Sequence, residues 1–560
     1  MASEVRITFL GGLGEIGRNC ATIETDDELL LLDCGQMFGD ETLPGVDAIL
    51  PDFSYVVKRS EKLIGAIATH SHEDHIGGFP YLLEDLGPDQ DPVPIYGSRF
   101  TLGMIENKLS EAGIVSRADL VEVGDGQTVK IGGFSVEFLP VTHSTPSGLI
   151  SAITTPQGVV LHSSDFKLDH TPIDGRRTDL ARIGAISGDP GIRLLLADST
   201  NADSPGMSES EMSIRKGIND IFEEHDKKRL IISAFSSHIH RVQQIADEAV
   251  RTNRVVFPLG RSMKRNLQLA RDVGILDLPD RFVADIEKVD DYPHERVCVV
   301  ATGSQGEPRA ALSKMAQGES RFLELGDNDV VVFSSHPIPG NEAAVARLRN
   351  NLARKGATIV HSGKVHIHTT GHGKEGELQT LHAVASPEWF VPVHGEYTHL
   401  VAHAELGRKM GVADKKVILC EDGDQVVISD NEISRTRVTD GGKVYIDGSI
   451  GYLTQDVIDD RLVLGENGFL AIDAIIDWDR RELVGPPRLI SRGWLESSMA
   501  TDLLAEGEKV AEDAIVEALS DPDAEFAEVE RKARRAVGRW VSDRTRRRPM
   551  LAPMLRSISG

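Results

Sequence analysis

The sequence predicts an α/β protein in which one domain is inserted into another. Short apolar segments bounded by Gly, Asp or Pro dominate roughly the first 200 residues, which is typical of stacked β-sheets covered by helices. After Pro205 such segments alternate with helical patterns, which is typical of a parallel α/β unit. A later apolar segment at residues 389–393 resembles the first region again, so we expect the chain to return to its first domain.

The strands of the first region are predicted from short apolar runs. They are expected at residues 5–10, 28–33, 63–69, 136–140, 158–163 and 193–197. A glycine-rich segment follows the first of them.

In the middle region, buried strands are predicted at residues 229–232, 254–257, 296–300 and 329–333. One helix between them is predicted by a stripe of period 3.6, formed by Val242, Ile245, Ala246, Ala249 and Val250. Another is expected to begin after Asn341, a plausible N-cap. Gly- and Asp-rich turns follow Asp430, and long helices are predicted around residues 502–519 and 524–540.

Length, charge and cysteine spacing limit the possible classes of protein. A chain of 560 residues suggests three or four domains. Its formal net charge of −26 repels nucleic acid on average, so a nucleic-acid substrate requires a local basic channel. The four cysteines form no Cys-x-x-Cys pair, which argues against a disulfide framework and a cysteine–zinc site. With no signal-peptide pattern and no apolar run near ~20 residues, we expect a cytoplasmic protein.

The strongest chemical signal is the pattern His-x-His-x-Asp-His, which follows an apolar strand. It consists of His70, His72, Asp74 and His75. Imidazole and carboxylate groups suit zinc or manganese, and a rigid strand lets nearby side chains converge. Four ligands on one short loop cannot all reach one tetrahedral ion, so the pattern favours two metal ions.

The remaining ligands are expected from other strand ends. His143, Asp165 and His394 each follow an apolar β segment. Each alone is more typical of a core or loop residue, but together with the loop they complete a seven-ligand dinuclear site.

These residues resemble the site of the metallo-β-lactamase fold hydrolases, and the middle insertion resembles that of the β-CASP nucleases. Five longer motifs are similar to those of bacterial ribonuclease J, and the similarity covers essentially the whole chain. They are residues 10–17 (LGGLGEIG), 198–202 (DSTNA), 260–263 (GRSM), 302–308 (TGSQGEP) and 392–397 (PVHGEY).

The resemblance implies a metallo-β-lactamase αββα sandwich with an inserted β-CASP parallel α/β domain and a small α/β C-terminal domain. The first part of the sandwich is expected at residues 1–205, the β-CASP domain at 206–363 and the second part at 364–435. A linker at 436–455 and the C-terminal domain at 456–560 are expected to follow.

The resemblance also implies roles for the metal site. His70, His72 and His143 are expected to bind one Zn²⁺, and Asp74, His75 and His394 a second, with Asp165 bridging the two ions of each subunit. Asp74 and His372 are the expected catalytic residues. Asp33 is expected to order the ligand loop through hydrogen bonds.

Substrate contacts are implied at two segments, namely Ser237, His238 and Ile239 in the insertion and His368, Thr369, Thr370, Gly371 and His372. His238 departs from the family, which has Asn there. If it lies beside an RNA 5′ end, the anion should favour its protonated form as pH falls from about 8 to 6. The glycine-rich segments 260–263 and 303–307 are expected to offer backbone N–H groups to phosphate.

The implied activity is endonuclease and 5′-to-3′ exonuclease cleavage of RNA, in RNA maturation and mRNA decay. A preference for 5′-monophosphate ends, a homodimer or homotetramer and an RNA-degradation complex are also implied, with no membrane partner. A small-molecule metallo-hydrolase of thioesterase or lactamase type and a non-catalytic RNA-binding scaffold are the alternatives. Residues 531–548 contain nine Arg or Lys and one acid, which indicates an RNA-contacting or assembly surface, or a solvated helix face.

Overall fold

The computed structural model describes residues 3–39, 42–338, 340–430, 432–495 and 497–558. The chain forms two compact units. The larger unit consists of two segments, the chain up to Phe38 and Ala48–Val444. The smaller unit consists of Gly39–Asp47 and the chain from Tyr445 onward. No helix in the described ranges combines the length and the apolar character needed to cross a bilayer.

The larger unit contains two sheets that pack face to face. The first has eight strands, in the order Ile433–Arg437, Asp424–Ile428, Val5–Gly11, Cys20–Glu24, Leu29–Leu32, Leu63–Ala68, Val93–Gly97 and Ala118–Glu122. The second has six, in the order Thr128–Ile131, Phe134–Pro140, Leu149–Thr155, Gly158–His162, Ile192–Asp198 and Trp389–Val393. Alternate residues such as Val5, Ile7 and Phe9 are buried in the core between the sheets, against Phe138 and Val160.

Helices cover the outer faces of this sandwich. Phe79–Asp85 and Arg99–Ala112 pack together, and the latter contacts the edge of the first sheet. Leu180–Gly188, Glu375–Ala385 and Tyr397–Lys409 share a second apolar core with the outer face of the second sheet. The arrangement is an αββα sandwich. Its shorter elements are Leu13–Gly14, Met37–Phe38, Ala48–Pro51, Ser54–Val57, Glu73–Ile76 and Gly395–Glu396.

A five-stranded parallel sheet forms the insertion. Its strands are, in order, Val255–Leu259, Val297–Ala301, Arg229–Ser233, Asp329–Phe333 and Thr358–His361. The accompanying helices are Arg215–Glu224, Ile239–Arg251, Arg261–Asp272, Ala311–Gln317 and Glu342–Arg354. The chain then returns to the sandwich, where Trp389–Val393 pairs in parallel with Ile192–Asp198. The predicted insertion is therefore confirmed.

The smaller unit has its own apolar core. A mixed sheet of Glu482–Leu483, Phe469–Asp477, Arg488–Arg492 and Met550–Ile558 packs against the helices Ser497–Leu519 and Phe526–Thr545. The helix Gln455–Asn467 and the strands Lys443–Asp447 and Gly451–Leu453 precede this sheet in the chain. Both predicted long helices are confirmed. The first begins five residues earlier than predicted, and the second begins two residues later and ends five residues later.

Candidate metal centre

The structure brings all seven predicted ligands to one edge of the sandwich, because each of them follows a strand that ends there. His70, His72, Asp74 and His75 follow Leu63–Ala68. His143 follows Phe134–Pro140, Asp165 follows Gly158–His162, and His394 follows Trp389–Val393. The seven ligand atoms fall into two groups that share Asp165, and within each group they lie within 4.8 Å of one another. Asp165 and His394 also form a third such group with Asp198 and His372.

The first group consists of His70, His72, His143 and Asp165. His72 Nδ1 lies 3.2 Å from His70 Nε2 and 3.0 Å from His143 Nε2. Asp165 Oδ2 lies 3.6 Å from His70 Nε2 and 3.8 Å from His143 Nε2. A tetrahedral zinc site with bonds of about 2.0–2.1 Å has ligand–ligand edges of about 3.3–3.4 Å. The observed spacings are close to that value.

The second group consists of Asp74, His75, His394 and the same Asp165. His75 Nε2 lies 3.3 Å from Asp165 Oδ2 and 3.6 Å from Asp74 Oδ2. His394 Nε2 lies 3.3 Å from Asp74 Oδ2. Asp165 Oδ2 therefore faces both groups, which is the position that a bridging carboxylate requires.

The chemistry of the buried Asp165 fits a metal site. Its side chain is 2% exposed, and its Oδ1 atom has no hydrogen-bond partner among the described residues. A buried carboxylate is costly unless a cation or a hydrogen-bond donor compensates it. Imidazole nitrogens and carboxylate oxygens are the donor set that zinc prefers. The residues present therefore fit a metal ion.

The electrostatics of the centre favour a bound cation. Burial lowers the pKa of His72 to about 4, so its imidazole is neutral and keeps a lone pair for a metal. Burial also disfavours the charged form of His394, but Asp165, Asp198 and Asp74 together raise its pKa to about 10. Several buried carboxylates thus attract positive charge to this point, whether a proton or a metal ion.

Hydrogen bonds outside the ligand set hold the imidazole rings in place. Asp33 accepts hydrogen bonds from Thr69 N at 2.8 Å and Thr69 Oγ1 at 2.9 Å, and its Oδ2 lies 2.8 Å from His75 Nδ1. The predicted ordering role of Asp33 is confirmed by these contacts. His143 Nδ1 lies 2.7 Å from Gly371 O, which leaves its Nε2 facing the centre.

The sequence analysis assigned no role to several residues that contact this centre, among them Asp198 and Asn19. Asp198 Oδ2 lies 2.8 Å from His372 Nδ1, and Asp198 Oδ1 lies 3.3 Å from His394 Nδ1. Asn19 Nδ2 donates to Asp74 Oδ2 at 3.2 Å and lies 3.0 Å from His75 Nε2. Asp198 is the last residue of the buried strand Ile192–Asp198, and the ligands also lie at the ends of buried strands. This position in the sequence could therefore have indicated that Asp198 lies at the centre. No comparable signal marks Asn19.

The 368–372 segment reaches the centre through its last two residues. The His372 ring stacks on His394 at 5.4 Å and lies 5.0 Å from the His143 ring. Burial lowers the pKa of His372, but the Asp198 carboxylate outweighs it, so the pKa is raised. At the other end of the segment His368 packs edge-on against His336, with ring centroids 4.6 Å apart.

The middle of this segment is fixed by hydrogen bonds. Asn201 Nδ2 donates to Thr370 Oγ1 and to His372 O, both at 3.0 Å. Thr369 Oγ1 donates to Glu209 O at 3.0 Å. The segment is therefore held on both sides of Gly371.

Of the three predicted contacts in the insertion, only Ser237 keeps a partly exposed side chain. Ile239 is fully buried, and His238 is 3% exposed with its Nε2 3.6 Å from Glu211 Oε2. Burial outweighs the attraction of Glu211 and lowers the pKa of His238 to about 4. The expectation that His238 gains a proton between pH 8 and 6 is therefore wrong, because the ring is enclosed by protein.

An αββα sandwich with a His/Asp centre at its edge defines a metallo-hydrolase of the beta-lactamase superfamily, and the model of the beta-lactamase superfamily domain matches residues 31–233. The models of the "Ribonuclease J, beta-CASP domain" and the "Ribonuclease J C-terminal domain" match residues 227–352 and 456–558. That of the "Zn-dependent metallo-hydrolase RNA specificity domain" matches residues 359–420. The chain belongs to the ribonuclease J family, and the predicted fold class is confirmed.

Full-length relatives support this assignment. Ribonuclease J of Mycolicibacterium smegmatis is 38% identical over 99% of this chain and 97% of its own. Ribonuclease J 1 of Streptococcus pyogenes is 34% identical over 99% and 98%, and ribonuclease J of Helicobacter pylori is 37% identical over 88% and 70%. A protein of unknown function from Enterococcus faecalis shares the fold over 76% of this chain and 100% of its own, with a TM-score of 0.52 at 15% identity.

Proposed function

We propose that this chain is a zinc-dependent ribonuclease with two Zn²⁺ ions per subunit. In this proposal His70, His72 and His143 bind one ion, Asp74, His75 and His394 bind the other, and Asp165 bridges them. The observation that carries the proposal is that both ligand groups share Asp165, whose second oxygen has no hydrogen-bond partner among the described residues.

The chain's own residues then have separable tasks. When bound, two zinc ions supply a water nucleophile at neutral pH and stabilise the attacking and leaving oxygens of a phosphoryl displacement. Asp33 and Asp198 orient the ligand imidazoles through their Nδ1 atoms. Asp198 raises the pKa of His372, which favours the protonated imidazole that can serve as a general acid for the leaving oxygen.

RNA is the substrate that family membership supports. Relatives named ribonuclease J match nearly the whole chain, and an RNA specificity domain matches residues 359–420. We extend this to endonuclease and 5′-to-3′ exonuclease activity with a preference for 5′-monophosphate ends, in RNA maturation and mRNA decay. Assembly into a homodimer or homotetramer, an RNA-degradation complex and a cytoplasmic location remain part of the proposal. The β-CASP and RNA specificity matches disfavour a small-molecule hydrolase, and the intact ligand set disfavours a non-catalytic scaffold.

The test combines metal analysis with digestion of end-labelled RNA. We expect two zinc ions per chain, and both internal cuts and single-nucleotide products that disappear with a chelator. Asp165→Ala should lose zinc and slow cleavage by several orders of magnitude while RNA affinity falls far less. Asp169→Asn, a nearby aspartate outside both ligand groups, is the control for metal content. Equal losses of affinity and turnover in Asp165→Ala would contradict the bridging role.

A further inference from the structure

An open groove of about 440 Å³ lies beside the metal centre, and neither the ligands nor the 368–372 segment line it. Its walls come from four parts of the larger unit: the glycine-rich segment, the short strand Met37–Phe38, the residues that follow His394 and the insertion. The residues used below are Glu15, Ile16, Met37, Ile338, Glu396 and Tyr397.

The groove is connected to the centre through the backbone. Leu13–Gly14 pairs in parallel with Gly395–Glu396, which directly follows the metal-group residue His394. Gly14 has a φ of +80°, and a Cβ placed on it would lie 3.9 Å from Tyr397 Cβ. The wall of the groove therefore begins at Glu396, two residues beyond His394.

Two exposed apolar side chains mark this groove. Tyr397 is 46% exposed at the start of the helix Tyr397–Lys409, and it makes no hydrogen bond or ring contact within the described ranges. Ile338 is 40% exposed, and Gln305 fixes it by accepting a hydrogen bond from Ile338 N at 2.7 Å and donating one to His336 O at 2.9 Å. Exposed apolar side chains that lie together in a groove indicate a binding surface.

The charge of the groove selects its occupant. Its carboxylates are Glu15 and Glu396, and no Lys or Arg is among the described residues that line it. Glu15 also contacts Arg18 and, at 2.6 Å, Lys443. Glu15 and Glu396 can accept hydrogen bonds from the amino donors of a flat, neutral, aromatic group, and the exposed apolar side chains suit its faces. In an RNA strand, that group is the nucleobase, and tyrosine is one of the side chains on which bases stack.

We propose that this groove is a nucleobase subsite, in which Tyr397 stacks on one base of the RNA strand that occupies the metal centre, with Ile338, Ile16 and Met37 closing the apolar side. The proposal rests on the proposed ribonuclease function. It adds a contact through which RNA affinity depends on the presence of a base and not only on the sugar–phosphate backbone.

The test pairs Tyr397 variants with oligonucleotides that lack a base at successive positions. In a His372→Ala background, which slows cleavage, Tyr397→Ala should weaken RNA affinity about 5- to 150-fold, since stacking contributes about 1–3 kcal/mol per base. Tyr397→Phe should retain affinity. An oligonucleotide that lacks the base at one position should bind the protein that retains Tyr397 more weakly by the same factor. The same missing base should not weaken the binding of the Tyr397→Ala variant any further.

Controls separate this subsite from the metal centre. Met410→Ala, at the far end of the same helix, should leave RNA affinity unchanged. In the His372-intact protein, Tyr397→Ala should keep its zinc, measured by elemental analysis, because Tyr397 belongs to neither ligand group. If no abasic position is coupled to Tyr397, or if Tyr397→Ala changes only the oligomeric state, the subsite is excluded. Loss of metal-dependent RNA cleavage in the unmodified chain would instead refute the proposed function.

Discussion

Asp198 illustrates at the scale of one residue how a carboxylate outside the ligand set can control the centre. Its two oxygens contact His372 and His394, so it positions a proposed acid and a proposed ligand at once. Asp198→Asn keeps the shape but removes the charge. We expect metal affinity or cleavage to fall about 10- to 100-fold, which is typical when the partner of a ligating histidine is lost.

Elemental analysis and single-turnover cleavage measure this effect. Asp203→Asn, an exposed carboxylate five residues further on, is the matched control and should behave like the unmodified chain. Unchanged zinc content and unchanged turnover in Asp198→Asn would show that these contacts have no functional role.

His238 gives a pH prediction of definite sign. Its ring faces Glu211, Arg241 and His240, and burial lowers its pKa to about 4, below the ordinary value of 6.5. The unfolded chain therefore takes up this proton first as pH falls, so the stability linked to the neutral ring is present above pH 6.5 and lost toward pH 4. His238→Asn should lose less stability than the unmodified chain over that window.

Chemical unfolding at several pH values between 7 and 4.5 tests this sign, with His240→Asn as the neighbouring control. RNA affinity should depend on pH in the same way in both proteins between pH 8 and 6, because the ring stays neutral there. A steeper dependence in the unmodified chain would restore the original expectation for His238.

The site residues that the sequence predicted best are those that lie close in sequence to other residues of the site. The 70–75 pattern carries four ligands within six residues, and Asp33 directly follows a neighbouring strand. Asp198 and Asn19 were missed because their partners are distant in sequence: His372 is 174 residues from Asp198, and Asp74 is 55 from Asn19. The environment of His238 was also unpredictable, since its burial depends on Glu211 and Arg241 packing around it.

At the scale of elements, the buried Arg241 joins the helix Ile239–Arg251 to the 368–372 segment. Arg241 donates to Glu211 Oε1 at 2.6 Å and Oε2 at 3.0 Å, and also to Ser334 O at 2.6 Å and Ile367 O at 3.0 Å. Ile367 directly precedes the segment that contains His372. The ion pair therefore positions the catalytic segment against the inserted domain.

Removing one partner of this pair should be costly. Arg241→Gln leaves Glu211 buried without its cation, so we expect the free energy of unfolding to fall by about 3–5 kcal/mol and cleavage to slow. Replacing both charges, in Arg241→Met with Glu211→Leu, should recover much of the stability but not the turnover. Arg215→Gln, which removes an exposed pair with Asp247 on the same helix, should cost no more than about 1 kcal/mol.

Urea titration and cleavage rates measured on the same samples test this assignment. If the double variant recovers turnover as fully as stability, the pair is structural and does not position the segment.

Strands that are buried on both faces were the most predictable elements. Asp329–Phe333 and Trp389–Val393 match their predicted bounds, because uninterrupted apolar runs identify such strands. The strand Met550–Ile558 was not predicted, since Pro553 and Arg556 interrupt its apolar pattern. It forms because it pairs in parallel with Phe469–Asp477, a partner distant in sequence.

At the scale of the whole molecule, the inserted domain was predictable because strand–helix alternation begins and ends within the chain. The bounds proposed for each domain remain predictions. The separation of a second compact unit with its own core depends on contacts between residues such as Ile472 and Val537, which no local pattern reveals. That unit contains none of the metal-group residues. We therefore expect the folding of the smaller unit to be independent of metal binding by the larger one.

Metal removal should therefore destabilise one unit and leave the other unchanged. A ligand that binds only the folded state stabilises it by mass action, and a chelator removes that stabilisation. It also leaves the charge of the buried Asp165 to be compensated only by protons on His75 and His394, whose pKa values the neighbouring carboxylates raise. We expect calorimetry of the full chain with chelator to show a lower transition temperature for the larger unit. Hydrogen exchange should speed up around the ends of Leu63–Ala68 and Trp389–Val393, whereas Phe526–Thr545 should exchange as before. Added zinc should restore both properties together with RNA cleavage. Equal destabilisation of both units, or none, would show that the metal does not act through the centre alone.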